Sequence, residues 1–181
     1  TYHTYYMDVQ TGEPRFCNTH QGYSDTSCWS RGQAWGIYGF LLSYQHTGDK
    51  QMVELSRSLA HYFLNRLPED DVCHWDLALL GTDAVRDSSA AAIAACGLLE
   101  LVKALPTLDA NRAYYEEMAL RIALSLTDNY LAHDDDPTEG LLQHSVYHMG
   151  SGKGVDQCCS WGDYFYLELL ARLRQIWYPY W

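Results

Sequence analysis

Five long stretches, at about 28–46, 50–67, 87–104, 109–131 and 157–178, carry apolar residues at helical spacing, and they alternate between two kinds. The stretch 87–104 (DSSAAAIAACGLLELVKA) is small and apolar almost all round, as a helix packed on every side must be, and 28–46 is aromatic with almost no charge beyond Arg31. The stretch 50–67 instead places Met52, Leu55, Leu59, Tyr62 and Phe63 on one stripe, with Lys50, Glu54, Arg57 and Arg66 facing away. Likewise 109–131 presents Arg112, Glu116, Glu117 and Arg121 to solvent. The stretch 157–178 opens with CCSWGDYFY, like the first kind, and turns charged only near Arg172 and Arg174. Inner, outer, inner, outer, inner is the order of helical hairpins in two concentric layers, with inner helices recurring roughly every 60–70 residues. A complete toroid of six such pairs needs about twice this length. The expected fold is therefore all-α, with residues 1–181 forming a single partial barrel domain.

Local punctuation agrees with this reading. Asp49 and Asp109 stand where N-caps belong, Gly48 follows the first helix, and Pro106 and Pro179 lie just past helix ends. No segment of comparable length alternates as a strand would.

At 48% hydrophobic the chain can bury a sizeable core, but its net charge of −11 excludes an electrostatic grip on nucleic acid or an anionic membrane. No apolar run approaches the roughly 18 residues of a membrane span. An anionic ligand must instead be held by a few placed cations. Lys50, Lys103 and Lys153 are the only lysines, and most arginines lie on charged helix faces. Arg31 and Lys153 differ, lying among Gly, Ser, Trp and Gln. The six cysteines (Cys17, Cys28, Cys73, Cys96, Cys158, Cys159) form no CxxC pair and read as reduced thiols, which makes the cytoplasm the expected compartment. Adjacent Cys158 and Cys159 lack histidine at ligand spacing, so no metal and no cofactor is expected.

Each inner helix opens with a polar and aromatic cluster: SDTSCWSRGQAW at the first, RDSSAA at the second and VDQCCSWGD at the third. Gathered at one mouth of the toroid, their helix N-termini present free N–H groups and a positive dipole end, suited to a carboxylate or sulfate. Trp29, Arg31, Gln33 and Trp35 are spaced two apart, so some must turn toward the opening. Indole faces stack on sugar C–H faces, and a guanidinium makes paired hydrogen bonds to carboxylate or sulfate. The alternative is that both tryptophans are core and Arg31 forms an outer salt bridge.

The stretches HQGYSDTSCWSRGQAWGIYGF (His20 to Phe40), RDSSAAAIAACGLLEL (Arg86 to Leu101) and SWGDYFYLELL (Ser160 to Leu170), in this order and with a WYPYW ending, resemble the unsaturated glucuronyl hydrolases, glycoside hydrolase family 88. The resemblance implies an (α/α)6 barrel of which this chain is the C-terminal half. It also implies a substrate, an unsaturated uronyl oligosaccharide left by polysaccharide lyases, sulfated in some members. In that family an aspartate protonates C4 of the 4,5-unsaturated uronic acid and deprotonates a water that adds at C5. The resulting hemiketal opens and releases the partner sugar. Ordinary glycosidases work instead with two carboxylates flanking the anomeric carbon.

Carried over by resemblance, His3, Gln21, Trp29, Arg31 and Trp35 match positions lining the subsites, with Tyr147 a further match. GSGKG is similar to a sulfate-binding loop, in which Ser151 and Lys153 would act, although His148 stands where that loop carries an earlier serine. The family's catalytic aspartate and its supporting aspartate lie upstream of the counterpart of His3. The acid is therefore expected upstream of Thr1, and the missing N-terminal half of the barrel is the expected partner. Asp25, Asp76, Asp87 and Asp163 are the aspartates near the mouth; Asp87, followed by two serines, reads as an N-cap, and Asp25 is the best substitute acid. His20 is weighed as a titrating group against a structural hydrogen bond. Two other functions stay open. Unsaturated rhamnogalacturonyl hydrolases tend to read RGNGW where this chain has RGQAW, and a fragment could bind sugar without turnover.

Overall fold

The computed structural model describes residues 1–133 and 135–178. Five α-helices dominate: α1 (Ser30–Thr47), α2 (Lys50–Leu64), α3 (Ser88–Ala104), α4 (Arg112–Asn129) and α5 (Ser160–Arg174). Helix α3 packs against α1, α4 and α5, while α2 packs chiefly on α1. Helix α3 is thus central, flanked by α1 and α5, while α2 packs on α1 and α4 on α3, the pairing that inner and outer helices in hairpins predict. Helix α3 is buried from Ser88 to Leu98, and its run of alanines lets neighbouring backbones approach closely. At Gly97 the approach is close: a Cβ there would stand 2.8 Å from Ile37 Cγ2 and 3.1 Å from the Tyr38 backbone nitrogen on α1.

The helix ends follow their chemistry. Asp49 accepts the Gln51 N–H at the start of α2, and Gly48 closes α1 with φ +71°. Asp109, expected to cap α4, accepts the Asn111 N–H one turn earlier, so the helix begins at Arg112. Arg112 in turn donates to the carbonyls of Val102 and Leu105 at the end of α3. The apolar stripe of α2 is also rotated from its expected phase. Val53, Ser56, Ala60, Phe63 and Leu64 face the core, while Leu55 and Tyr62 are exposed. The small residues win because Ser56 approaches α1 closely enough to donate to the Ile37 carbonyl at 2.7 Å.

Two elements depart from an all-α fold. Strands β1 (Thr4–Met7) and β2 (Pro14–Asn18) form an antiparallel hairpin with Tyr6 opposite Phe16. Strands β3 (Ser145–His148) and β4 (Lys153–Gln157) form another, with His148 opposite Lys153. Residues 153–157 therefore extend as a strand, and α5 starts only at Ser160. Strands this short show no measurable alternation, and they are recognisable mainly by their turn glycines, Gly12 (φ +74°) and Gly152 (φ +65°).

Arg172, expected on an exposed face, is buried. It donates to Glu168 at 2.8 Å, to Glu100 at 2.6 Å and to the Tyr38 hydroxyl at 3.1 Å, tying α5 to α3 and α1. Burial of a charge is tolerated here because its partners supply opposite charge and hydrogen bonds together. All six cysteines are free thiols. Among the described residues no helix is long and apolar enough to cross a membrane. Pro179 and the end of the WYPYW motif lie outside the described residues.

Candidate sugar-binding site

The N-terminal ends of α1, α3 and α5 converge on one guanidinium. Trp29 immediately precedes α1 and Arg31 lies in its first turn; Asp87 caps α3; Trp161 lies in the first turn of α5. Arg31 is only 3% exposed. Its Cζ sits 4.7 Å from the Trp29 ring centroid and 5.2 Å from that of Trp161. Arg31 Nη1 donates to Asp87 Oδ2 at 3.0 Å and to the Val146 carbonyl. Nη2 donates to the Tyr147 carbonyl at 2.8 Å and to Gln21 Oε1 at 3.4 Å. The salt bridge weighed from the sequence is therefore present, but it is an inner one.

Asp87 has no exposure and spends both oxygens. Oδ1 accepts from Ser89 Oγ at 2.5 Å, from the Ala90 N–H at 3.2 Å and from the Val146 N–H at 3.5 Å. Burial pushes its carboxyl above the ordinary aspartate pKa, against the pull of Arg31 and these donors. Asp87 is an N-cap, as its sequence context predicts, and also the counterion that holds Arg31.

Outward from Arg31 runs a chain of side chains. The His20 N–H donates to His3 Nδ1 at 3.1 Å, so in the neutral ring Nε2 carries the proton and donates to Gln21 Oε1 at 3.2 Å. The His3 ring lies 4.2 Å from that of Trp29. Gln21 Nε2 donates to the Tyr147 carbonyl at 2.9 Å. Although His3 is exposed, partial desolvation beside the Trp29 ring, aided by nearby His20 and Arg31, lowers its pKa from the ordinary histidine value despite the Gln21 hydrogen bond. His3, Gln21, Trp29, Arg31 and Tyr147 thus form one connected cluster. The Tyr147 side chain is 46% exposed, with its ring 5.6 Å from that of Trp161.

The β3–β4 hairpin leads from this cluster to Ser151 and Lys153, both exposed. His148 Nδ1 accepts the Ser151 N–H at 3.0 Å, and the His148 ring meets that of His20 edge-on at 4.7 Å. His148 therefore closes the hairpin turn with its side chain. His20 contributes its backbone N–H and a ring contact, the structural alternative weighed for it. Trp35 lies farther along α1, 38% exposed, with its ring 5.2 Å from Phe165 on α5. Gln33, spaced with the tryptophans in sequence, turns the other way and donates to the Leu59 carbonyl of α2.

The remaining mouth aspartates have structural duties. Asp76 is wholly buried and accepts from the N–H groups of Tyr23, Cys28 and Ala78 and from Ser27 Oγ. Asp163 accepts the N–H groups of Leu141 and Leu142. Exposed Asp25 accepts the Thr19 N–H at 2.7 Å. Sequence reasoning missed Trp161 and Ser89 as partners in the site, although both stand inside quoted motifs at inner-helix starts. It also missed the carbonyls of Val146 and Tyr147, for which side-chain identities carry no signal.

The chain is 48% identical over 181 residues to an unsaturated chondroitin disaccharide hydrolase of Streptococcus pyogenes, matching 99% of this chain and 45% of that protein. Along nearly its whole length the chain is similar to proteins named unsaturated chondroitin disaccharide hydrolase and unsaturated glucuronyl hydrolase. It superimposes on the crystal structure of such an enzyme from Bacillus sp. GL1, described as responsible for glycosaminoglycan degradation, with a TM-score of 0.91 at 42% identity over 97% of this chain and 47% of that one. A variant of the Streptococcus agalactiae enzyme, complexed with dGlcA-GalNAc6S, matches with a TM-score of 0.89 at 47% identity over 99% of this chain and 48% of that one. The chain spans about half the length of the curated relatives it matches. No protein-family model matches it.

Proposed function

We propose that this chain is the substrate-holding C-terminal half of an (α/α)6 unsaturated glucuronyl hydrolase. The observation that carries the reading is Arg31, whose guanidinium lies over the Trp29 and Trp161 rings and whose Nη2 makes its longest hydrogen bond, 3.4 Å, to Gln21 Oε1, the partner that a carboxylate would replace. An unsaturated uronic acid offers a carboxylate for a guanidinium and a flat ring for aromatic faces. In this reading His3, Gln21, Trp29 and Arg31 hold the uronate, while Trp35 and Tyr147 flank the neighbouring sugar. Ser151 and Lys153 meet a sulfate on that sugar where one is present. The chemistry is hydration of the C4=C5 double bond by an aspartate upstream of Thr1. Asp76 and Asp87 have both oxygens committed to backbone and side-chain donors, and Asp163 Oδ1 is held by the Leu141 and Leu142 N–H groups, which favours an acid from outside this chain. By itself the 181-residue chain binds without turnover, and the protein works in the cytoplasm.

The test is the absorbance of the double bond. The full-length protein is offered an unsaturated chondroitin disaccharide and, in competition, a pectin-derived unsaturated disaccharide. Loss of absorbance with the first at the higher kcat/KM is the expected result. An unchanged absorbance with both refutes the proposal, and preference for the second reassigns it to the rhamnogalacturonyl class. Turnover by the isolated chain would refute the binding-only role.

A further inference from the structure

Trp161 belongs to none of the roles above, yet it touches the Arg31 site by two routes. Arg31 Cζ lies over its ring, 5.2 Å from the centroid, as it lies over the Trp29 ring at 4.7 Å. The Trp161 Nε1–H donates to Ser89 Oγ at 3.2 Å. With that lone pair of Ser89 occupied, the hydroxyl proton is directed to Asp87 Oδ1 at 2.5 Å, and Asp87 Oδ2 accepts from Arg31 Nη1. One indole therefore grips Arg31 directly and also orients its counterion through a serine. The packing reading is that Trp161 simply fills space at the start of α5. That reading accounts for the ring's partial burial but requires neither the polar relay nor the contact with a charged group.

We infer that Trp161 is a positioning residue, which fixes the Arg31 guanidinium for carboxylate recognition through its ring face and through the Ser89–Asp87 relay. This rests on the proposed function of the site. The two routes make separable demands. A phenylalanine keeps a ring face and loses the relay donor; a leucine loses both; Ser89→Ala removes the relay and leaves the ring. Because the interaction acts on binding rather than on the reacting carbon atoms, the loss falls on KM.

In the full-length protein, Trp161→Leu is expected to raise KM for an unsaturated chondroitin disaccharide about tenfold, with kcat within about twofold. Trp161→Phe and Ser89→Ala should each raise KM by a smaller and similar factor. A second arm does not need activity. In a proton–nitrogen NMR spectrum the Arg31 Nε–H, on a guanidinium that lies over two indole rings, should resonate upfield of ordinary arginine and move downfield in Trp161→Leu. An Arg31 resonance unmoved in Trp161→Leu overturns the inference. So does a KM change below twofold, or a loss confined to kcat. Wild-type protein without activity would sink the proposed function alone, and the NMR arm would still decide the positioning.

Discussion

Replacing Arg31 with methionine would keep much of the side chain's apolar volume while removing the guanidinium from the Trp29 and Trp161 rings. Asp87 would lose its ion-pair partner while fully buried. Breaking a buried pair from one side costs about 3–5 kcal/mol. Here the lower part of that range applies, because Asp87 keeps the donors Ser89 Oγ and the N–H groups of Ala90 and Val146. The carbonyls of Val146 and Tyr147 lose a donor as well, which adds to the loss. The cost should depend on pH. Burial already raises the Asp87 pKa, and removing Arg31 removes the leading opposing influence, so in the variant the carboxyl titrates higher still. The unfolded carboxyl titrates near 4. Above that value the folded variant binds more protons than its unfolded chain, so its stability falls as pH rises until the folded group has ionised. Urea unfolding of wild type and Arg31→Met between about pH 5 and pH 8 measures this. The expected destabilisation is about 3 kcal/mol near neutrality and smaller at the acid end. Adding Asp87→Asn should recover part of it, since a neutral amide needs no counterion. A difference below about 1 kcal/mol, or one that does not change with pH, would refute the reasoning.

Three further outcomes follow from the packing and the hydrogen bonds. Gly97→Ala gains helix propensity worth about 1 kcal/mol, but its methyl would meet Ile37 and the Tyr38 backbone. A net loss of about 1–2 kcal/mol in chemical unfolding is expected, and a stabilised variant would show that α1 and α3 lie farther apart. Asp76→Ala strands four buried or partly buried donors and should cost more than about 3 kcal/mol while leaving the affinity of the surviving folded protein for an unsaturated disaccharide unchanged. An intact melting curve would remove Asp76 from its structural role. The lowered pKa of His3 means that the unfolded chain takes up its proton first on acidification, so His3 contributes stability above about pH 6.5 that is lost as pH falls through its folded value. His3→Asn, which retains an acceptor for the His20 N–H, should show a shallower acid loss than wild type by pH-dependent denaturation; an identical slope removes His3 from the effect.

The layer order was legible because inner and outer helices bury different amounts of their circumference, and α3 with its alanines shows this most plainly. Helix phase was less legible. In α2 the bulky Leu55 and Tyr62 outweigh Ser56 and Ala60 on any hydrophobic count, yet only small residues fit where α2 crosses α1. The hairpins escaped notice because four or five residues are too few to display a period of two. Within the site, the identity of the charged and aromatic residues could be read, but their connections could not. Arg172 and Arg31 both stand in short local contexts that say nothing of Glu100 or Asp87, which come from a different helix start or helix face. The resemblance supplied His3 and Gln21. Trp161 required the structure, since nothing in SWGD shows that its ring reaches an arginine 130 positions earlier in the chain.

The account stands most directly on where the uronate carboxylate lies. A crystal structure of the full-length protein with an unsaturated chondroitin disaccharide, the acid proposed to lie upstream neutralised to prevent turnover, would show it. The carboxylate is predicted within hydrogen-bonding distance of Arg31 Nη2, Gln21 or His3, with a sugar face against Trp29 or Trp35. A disaccharide bound elsewhere, or a carboxylate held by residues outside this cluster while Arg31 stays sealed on Asp87 and the β3 carbonyls, would contradict it.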